Sequence, residues 1–115
     1  MQILGSHQIG VQTGDMLLFS DFEEGGDMWK GEGARVVRRA VTFDRLFLEP
    51  PDVTVHMTMV DMSNDAFIRA DLQAEAITKS GFDIVFRTWG DSRVARIRAG
   101  WQAIGAVVNE DNWQL

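Results

Sequence analysis

Side chains that could take part in chemistry are few and far apart in this chain. Its two histidines, His7 and His56, are widely separated, and neither belongs to a metal-binding spacing such as HExxH. The chain has no cysteine, which excludes thiol catalysis, zinc–thiolate sites, iron–sulfur clusters and disulfides. Because no nucleophile–base pair is visible either, we expect a protein that is not an enzyme and that needs no cofactor.

The segment from Asp21 to Gly33 is rich in carboxylates and glycines. Carboxylate oxygens suit calcium, but the segment lacks EF-hand spacing, so calcium binding and a solvated acidic loop both stay open. Apolar residues inside the segment predict that it folds back on the body of the protein. The candidate ligands are Asp21, Glu23, Glu24 and Asp27, and the apolar residues are Phe22, Met28 and Trp29.

Arginines are concentrated between Arg87 and Arg98, around one aromatic residue. A nucleic-acid surface has a similar composition. However, the net charge of −6 and the pI of about 4.7 argue against broad binding to nucleic acid or to an anionic membrane. An amphipathic strand explains these arginines without a ligand. We expect their partners on neighbouring strands to be Asp71, Glu75 and Asp83.

Trp89 suggests a different kind of chemistry. It ends a predicted strand beside Gly90-Asp91-Ser92, which places a large aromatic ring at the rim of a sheet. An arginine and a carboxylate near such a ring suit a sugar, because the ring packs against apolar C–H groups while the charged groups bind hydroxyls. Trp101, by contrast, is predicted to lie in the core.

The chain length and composition indicate one ordinary globular domain. The 115 residues are 45% hydrophobic and 24% charged. We expect a single domain over 1–115, with its core at about 10–104 between a short N-terminal arm and a C-terminal tail. No apolar run reaches the roughly 20 residues that span a bilayer, and the first residues lack the features of a signal peptide. We therefore expect no membrane insertion. A cytoplasmic store and action at the cell surface after release both stay open.

Apolar residues that alternate with polar ones predict β-strands along most of the chain. The segment from Phe67 to Ile77 contains good helix formers, but its strict alternation favours a strand. Turns at Pro50-Pro51, Ser80-Gly81 and Gly90-Asp91 separate the elements. The pattern predicts an all-β fold, an antiparallel sandwich or barrel without a helix. The six predicted strands are 14–20, 35–43, 53–61, 67–77, 82–89 and 93–104.

Residue types and spacings in the middle of the chain resemble the H-type lectin domain. This family includes the gastropod agglutinins and the C-terminal domain of the discoidins. The resemblance extends over about residues 10–104 and implies a six-stranded antiparallel β-sandwich that assembles as a homotrimer, or as a hexamer of two trimers. It also implies binding of glycans that end in galactose or N-acetylgalactosamine. The residues that carry it are Phe43, Pro50-Pro51, Val53, Asp61, Arg69, Gly81-Phe82 and Thr88-Trp89.

The resemblance also implies which residues bind the sugar. The arginine of the family falls on Arg69 and its strand-end tryptophan on Trp89. Its acidic residue falls on Glu32, or on Asp27 if the loop is shifted. The carbohydrate-binding residues are therefore expected to be Glu32, Arg69, Trp89, Gly90 and Asp91.

Two positions depart from the family pattern. The histidine that follows the tryptophan is replaced by Gly90, and the aromatic residue six positions after the tryptophan is replaced by Ala95. Both changes remove contacts to the sugar, so a trimeric structural or adhesin module with a degenerate sugar site is the alternative. If Gly90 does not need a positive φ, Gly90→His is expected to strengthen binding of N-acetylgalactosamine.

Charged residues on the predicted strand faces are candidates for a polar interface between protomers. Such residues alternate with the apolar ones, so they face away from the core of a small sandwich. We expect a closed ring, a trimer or a pair of trimers. The candidate interface residues are Arg87, Arg96, Arg98, His56, Asp71 and Glu75.

Overall fold

The computed structural model describes residues 1–5, 8–21 and 25–108. His7, Phe22, Glu23, Glu24 and the tail from residue 109 lie outside the described residues. Within them, no helix is long and apolar enough to cross a membrane. The elements in chain order are β1 (Gln8–Ser20), α1 (Asp27–Lys30), β2 (Arg35–Thr42), β3 (Asp52–Met62), β4 (Ala70–Glu75), β5 (Gly81–Thr88) and β6 (Val94–Val107).

The strands pair into two antiparallel three-stranded sheets. The β6 sheet has the order β1-β6-β3, and the β5 sheet has the order β2-β5-β4. Aromatic side chains from the two sheets meet between them: the rings of Phe19 and Phe86 are 5.4 Å apart, and those of Phe82 and Trp101 are 5.3 Å apart. The structure therefore confirms the six-stranded antiparallel sandwich and the placement of Trp101 in its core.

Alternation identified the buried faces correctly. In β3, Val53, Val55 and Met57 pack against the core, and His56 is exposed. In β4, Leu72 and Ala74 pack against the core. This segment forms a strand despite its helix-forming composition, because pairing with β5 satisfies its backbone and alternation buries one of its faces.

Element boundaries and one element differ from the predictions. β1 begins at Gln8 rather than at residue 14, because its first half pairs with the end of β6, which itself continues to Val107. β4 is shorter than predicted. The expectation of no helix is wrong, because Asp27–Lys30 forms one turn of helix. This turn buries Met28, whose N–H donates to the Asp21 carboxylate at 3.0 Å, so the segment does fold back on the sandwich.

The predicted partners of the arginines are only partly right. Arg96 forms its ion pair with Asp61 of β3, at 2.9 Å, because β6 is the central strand of the other sheet and has β1 and β3 as neighbours. On the β5 sheet, Arg87 does bind Glu75, which also lies 3.3 Å from Arg38. Alternation predicts the face of the sheet on which a residue lies, but the order of the strands determines which charged side chains are neighbours.

The candidate interface residues do not share one surface. The structure divides them between the two sheets of the sandwich, and a ring interface joins two different faces of neighbouring protomers, so the predicted interface stays a prediction. Those on the β6 sheet are His56, Arg96 and Arg98, and those on the β5 sheet are Asp71, Glu75 and Arg87.

The ion pairs of Glu75 predict how stability depends on pH. The hydrogen bond from Arg87 lowers the pKa of Glu75 below its ordinary value of 4.5. The folded chain therefore binds fewer protons at this carboxylate than the unfolded chain does. Its contribution to the free energy of unfolding should be complete above about pH 4.5 and should be lost as the pH falls through the lowered pKa.

Urea unfolding of the wild type and of Glu75→Gln, on both sides of pH 4.5, measures this contribution. The difference in stability between the two proteins should shrink as the pH falls. Glu49→Gln, which changes an exposed carboxylate in the connection between β2 and β3, is the control. Parallel pH profiles for the wild type and Glu75→Gln would contradict the expected coupling.

Candidate functional site

Three connections meet at one end of the sandwich. The first joins β1 to β2, and its residues 25–34 are described. The second joins β3 to β4 through residues 63–69, and the third joins β5 to β6 through residues 89–93. Backbone hydrogen bonds tie them together, from the Gly33 N–H to the Gly90 carbonyl at 2.9 Å and from the Ser63 N–H to the Arg93 carbonyl at 3.0 Å. We call this region the three-loop end.

Two buried hydroxyls hold the backbone of Arg69. Thr88 and Ser92 are 1% and 0% exposed, and they are the buried polar residues in the part of the chain that the structure describes. The Arg69 N–H donates to the Ser92 hydroxyl oxygen at 2.8 Å, and the Thr88 hydroxyl donates to the Arg69 carbonyl. The Ser92 hydroxyl also donates a hydrogen bond to the Trp89 carbonyl oxygen, at 2.9 Å. Arg69 is therefore positioned through its backbone and not only through its side chain.

The Arg69 side chain forms an ion pair at the surface. Its Nη1 atom lies 2.8 Å from the Asp91 carboxylate, and the two side chains remain 39% and 62% exposed. The hydrogen bond from Arg69 lowers the pKa of Asp91, so this carboxylate is ionised at neutral pH. The pair presents a guanidinium and a carboxylate to solvent, and both are groups that bind hydroxyls.

Trp89 and Gly90 connect the end of β5 to Asp91 of this ion pair. The Trp89 side chain is 46% exposed, as expected for an aromatic residue at the end of a strand. Gly90 has a φ of +70°, and a Cβ atom at this position would lie 3.0 Å from Nη1 of Arg69. The condition for a favourable Gly90→His substitution is therefore not met.

We expect Gly90→His to weaken the protein instead of strengthening sugar binding. A non-glycine residue in the left-handed region costs about 1 kcal/mol, and the new Cβ atom requires Nη1 of Arg69 to shift by a few tenths of an ångström. Gly33→His is a matched control, because Gly33 has a φ of +75° but open space around its Cβ position. Thermal unfolding should show a loss in both variants, whereas titration calorimetry should show weaker sugar binding in Gly90→His alone. Tighter binding by Gly90→His would contradict this expectation.

The acidic candidates approach the site without joining the ion pair. Glu32 is exposed and adjacent to Gly33, which bonds to the Gly90 carbonyl, so the fold brings Glu32 to the three-loop end. Asp27 begins α1, and its carbonyl accepts from the Arg35 guanidinium at 3.0 Å. In the described part of the chain, the ion pair of Arg69 is with Asp91.

Two other candidate features lie away from this surface. Ala95, in place of the aromatic residue of the family, is 3% exposed, and its carbonyl accepts from the Asp21 N–H at 2.7 Å. The described residues hold no group of three histidines or carboxylates that could bind a metal ion. Glu23 and Glu24 of the possible calcium loop lie outside them, and the Asp21 carboxylate accepts the Met28 N–H.

Ser92 and Thr88 are positioning residues that sequence reasoning missed. Thr88 drew attention only as part of the matching run, although it follows Phe86 by two residues on the core face of β5, so alternation could have placed it inside. Ser92 belonged to a predicted turn, where serine is common for its local hydrogen bonds. The burial of Ser92 beside Arg69 depends on the contacts between the connections.

Known proteins are similar to this chain in sequence and in fold. A family model described as the H-type lectin domain matches residues 38–104. The "ATP synthase subunits region ORF 7" protein of Fuscovulum blasticum is 50% identical over 107 residues, which are 93% of each chain. Discoidin-2 of Dictyostelium discoideum is 35% identical over 75 residues, which are 64% of this chain and 29% of that protein.

Solved structures of discoidin II from Dictyostelium discoideum have the same fold. The recombinant protein matches with a TM-score of 0.75 and 26% identity over 93% of this chain, and the wild-type protein with a TM-score of 0.75 and 27% identity over 91%. This chain spans about two-fifths of the discoidin II chains. The family model covers more than half of the chain, so this chain belongs to the H-type lectin domain family.

Proposed function

We propose that this protein is a lectin that binds glycans with terminal galactose or N-acetylgalactosamine at the three-loop end. The observation that carries the proposal is the placement of Arg69, whose backbone is held by two buried hydroxyls and whose guanidinium is paired with Asp91, two residues after the exposed Trp89. Family membership supports the same type of ligand.

The arrangement suits the shape of a galactose-type sugar. The axial hydroxyl of such a sugar leaves a patch of C–H groups on one face of the ring, and this patch can pack against Trp89. Neighbouring hydroxyls can then accept from the Arg69 guanidinium and donate to the Asp91 carboxylate. Glu32 reaches the same end of the sandwich and provides a further acceptor.

A glycan array followed by titration calorimetry tests this function. Glycans that end in galactose or N-acetylgalactosamine should bind, whereas those that end in glucose or mannose should not. Binding should depend on the Arg69 side chain. Absence of binding to every galactose-type glycan, or a preference for glucose, would contradict the proposal.

Multivalent binding belongs to the same proposal. The outer face of the β5 sheet carries an open groove of about 470 Å³ that reaches Trp89. Val36 lines this groove and is 56% exposed, so an apolar side chain is available there for a contact between protomers. Contact between protomers through this face would place sugar sites near subunit boundaries. A trimer would raise avidity by roughly 10²–10⁴ through effective concentration.

Native mass spectrometry at micromolar concentration tests the assembly. The proposal predicts three or six times the 12.9 kDa mass of the chain. Val36→Arg should dissociate the assembly, because it places an unpaired charge in the groove. Val11→Arg is a matched control on β1 of the other sheet, where Val11 is 59% exposed. A 12.9 kDa wild-type species, or equal effects of the two variants, would contradict an assembly through the β5 sheet.

One observation favours a second function, that of an assembly module without a working sugar site. Gly90 and the buried Ala95 replace two residues through which the family contacts sugar. A stable trimer that binds no glycan on the array would support this alternative over the lectin.

A further inference from the structure

A polar cleft of about 620 Å³ lies at the three-loop end, next to the site described above. It combines an aromatic ring, a guanidinium, a carboxylate, an amide and a hydroxyl, which are the groups that bind sugars. All three connections contribute to it. Its lining residues are Trp29, Met62, Ser63, Asn64, Asp65 and Arg93.

The cleft and the Arg69 site share the same two stretches of chain. Asp91 contacts Arg69, and Arg93 lines the cleft two residues later, so their Cα atoms are at most about 7 Å apart. Ser92, between them, is fully buried. One ligand can therefore contact both places.

Phe67 stands between the two places along the other stretch of chain. Its side chain is 78% exposed, although its backbone carbonyl oxygen accepts hydrogen bonds from neighbouring residues. The Phe67 carbonyl oxygen lies 3.3 Å from the Ser92 hydroxyl and 3.4 Å from Nη1 of Arg69. An exposed aromatic ring on a fixed backbone provides an apolar surface for the C–H face of a sugar ring.

We propose that the cleft is a second sugar subsite and that the three-loop end binds an oligosaccharide. The terminal sugar lies at Arg69, Asp91 and Trp89, Phe67 packs against the next residue, and Arg93 and Asp65 bind the hydroxyls of a further residue. This inference rests on the proposed function and adds that the ligand is an extended glycan chain rather than a single terminal sugar.

The test compares ligands of different length on the full chain. An array presents terminal galactose and N-acetylgalactosamine alone and at the end of linear chains of several linkages. Calorimetry then uses the extended glycan that binds best and its own terminal monosaccharide. The wild type should bind the extended glycan at least about tenfold more tightly, as two or more added hydrogen bonds and a ring contact would provide.

Two variants locate the additional contacts. Phe67→Ala and Arg93→Gln should each lower affinity for the extended glycan by about fivefold and leave affinity for the monosaccharide unchanged. Both side chains are exposed, so the unfolding temperature should stay that of the wild type. Leu46→Ala and Arg98→Gln are matched controls, since these exposed residues lie outside the three-loop end. They should change neither affinity.

The outcomes separate this inference from the proposed function. If the monosaccharide binds as tightly as every extended chain, the second subsite is wrong and the lectin function stands. If the variants weaken both ligands equally, Phe67 and Arg93 belong to the first site and the inference is likewise overturned. If the wild type binds no glycan of any length, both proposals fail.

Discussion

We expect Arg69→Ala to lower the affinity for a galactose-type sugar about 30-fold, which corresponds to about 2 kcal/mol for the loss of charged hydrogen bonds. The unfolding temperature should change little. The contacts that Ser92 and Thr88 make are with the backbone of residue 69, and alanine retains this backbone. The substitution therefore removes the guanidinium and leaves the surrounding loops in place.

Titration calorimetry and thermal unfolding of the same preparations measure the two effects of Arg69→Ala. Arg98→Ala is the matched control, because Arg98 is an exposed arginine on the β6 sheet, away from the three-loop end. A parallel loss of affinity and of stability would show that the ion pair with Asp91 is structural, and would contradict a role for Arg69 in sugar binding.

We expect Ser92→Ala, unlike Arg69→Ala, to lower the free energy of unfolding as well as the affinity for the sugar. The Ser92 hydroxyl is fully buried and accepts the N–H of Arg69. Without it, this N–H loses its partner inside the protein, which costs about 2 kcal/mol of the free energy of unfolding. Sugar affinity should also fall, because the backbone of Arg69 is then held only by Thr88.

Urea unfolding and calorimetry of Ser92→Ala test this expectation, with Ser80→Ala as the control at an exposed turn where the hydroxyl lies 3.2 Å from that of Thr78. A double-mutant cycle with Arg69→Ala separates the binding effect from the folding effect. If Ser92 acts on the sugar through Arg69, its substitution should lower affinity no further in the Arg69→Ala background. Equal losses in both backgrounds would assign Ser92 a separate role.

The buried faces of the sandwich could be predicted because alternation is a local property. Val53, Val55 and Met57 alternate with exposed residues in β3, and this pattern alone places them in the core. The N-terminal half of β1 could not be found this way. Its exposed Ile9 and Val11 give no buried face, and its strand structure depends on pairing with β6.

The candidate site could be located from the sequence, but not how it is held together. Arg69, Trp89 and Asp91 lie at the three-loop end, and their binding of a sugar stays a prediction. The role of Ser92 in holding Arg69 depends on hydrogen bonds between segments far apart in the chain, and a local sequence pattern does not predict such bonds. The sequence did not determine the sign of φ at Gly90, because a glycine in a turn adopts either sign.

The attachment of Arg69 from behind has an evolutionary consequence. The hydroxyls that anchor it are buried, whereas the side chains of Glu32, Phe67 and Arg93 are exposed and make no part of that anchor. Natural selection can therefore exchange the exposed residues one at a time, and so change which glycan is preferred, without first having to compensate for lost stability. Relatives that diverge in their hosts or targets should vary most at these loop positions, while the threonine and the serine beneath the arginine persist. A combinatorial library restricted to the three exposed positions would retain folding and explore specificity alone.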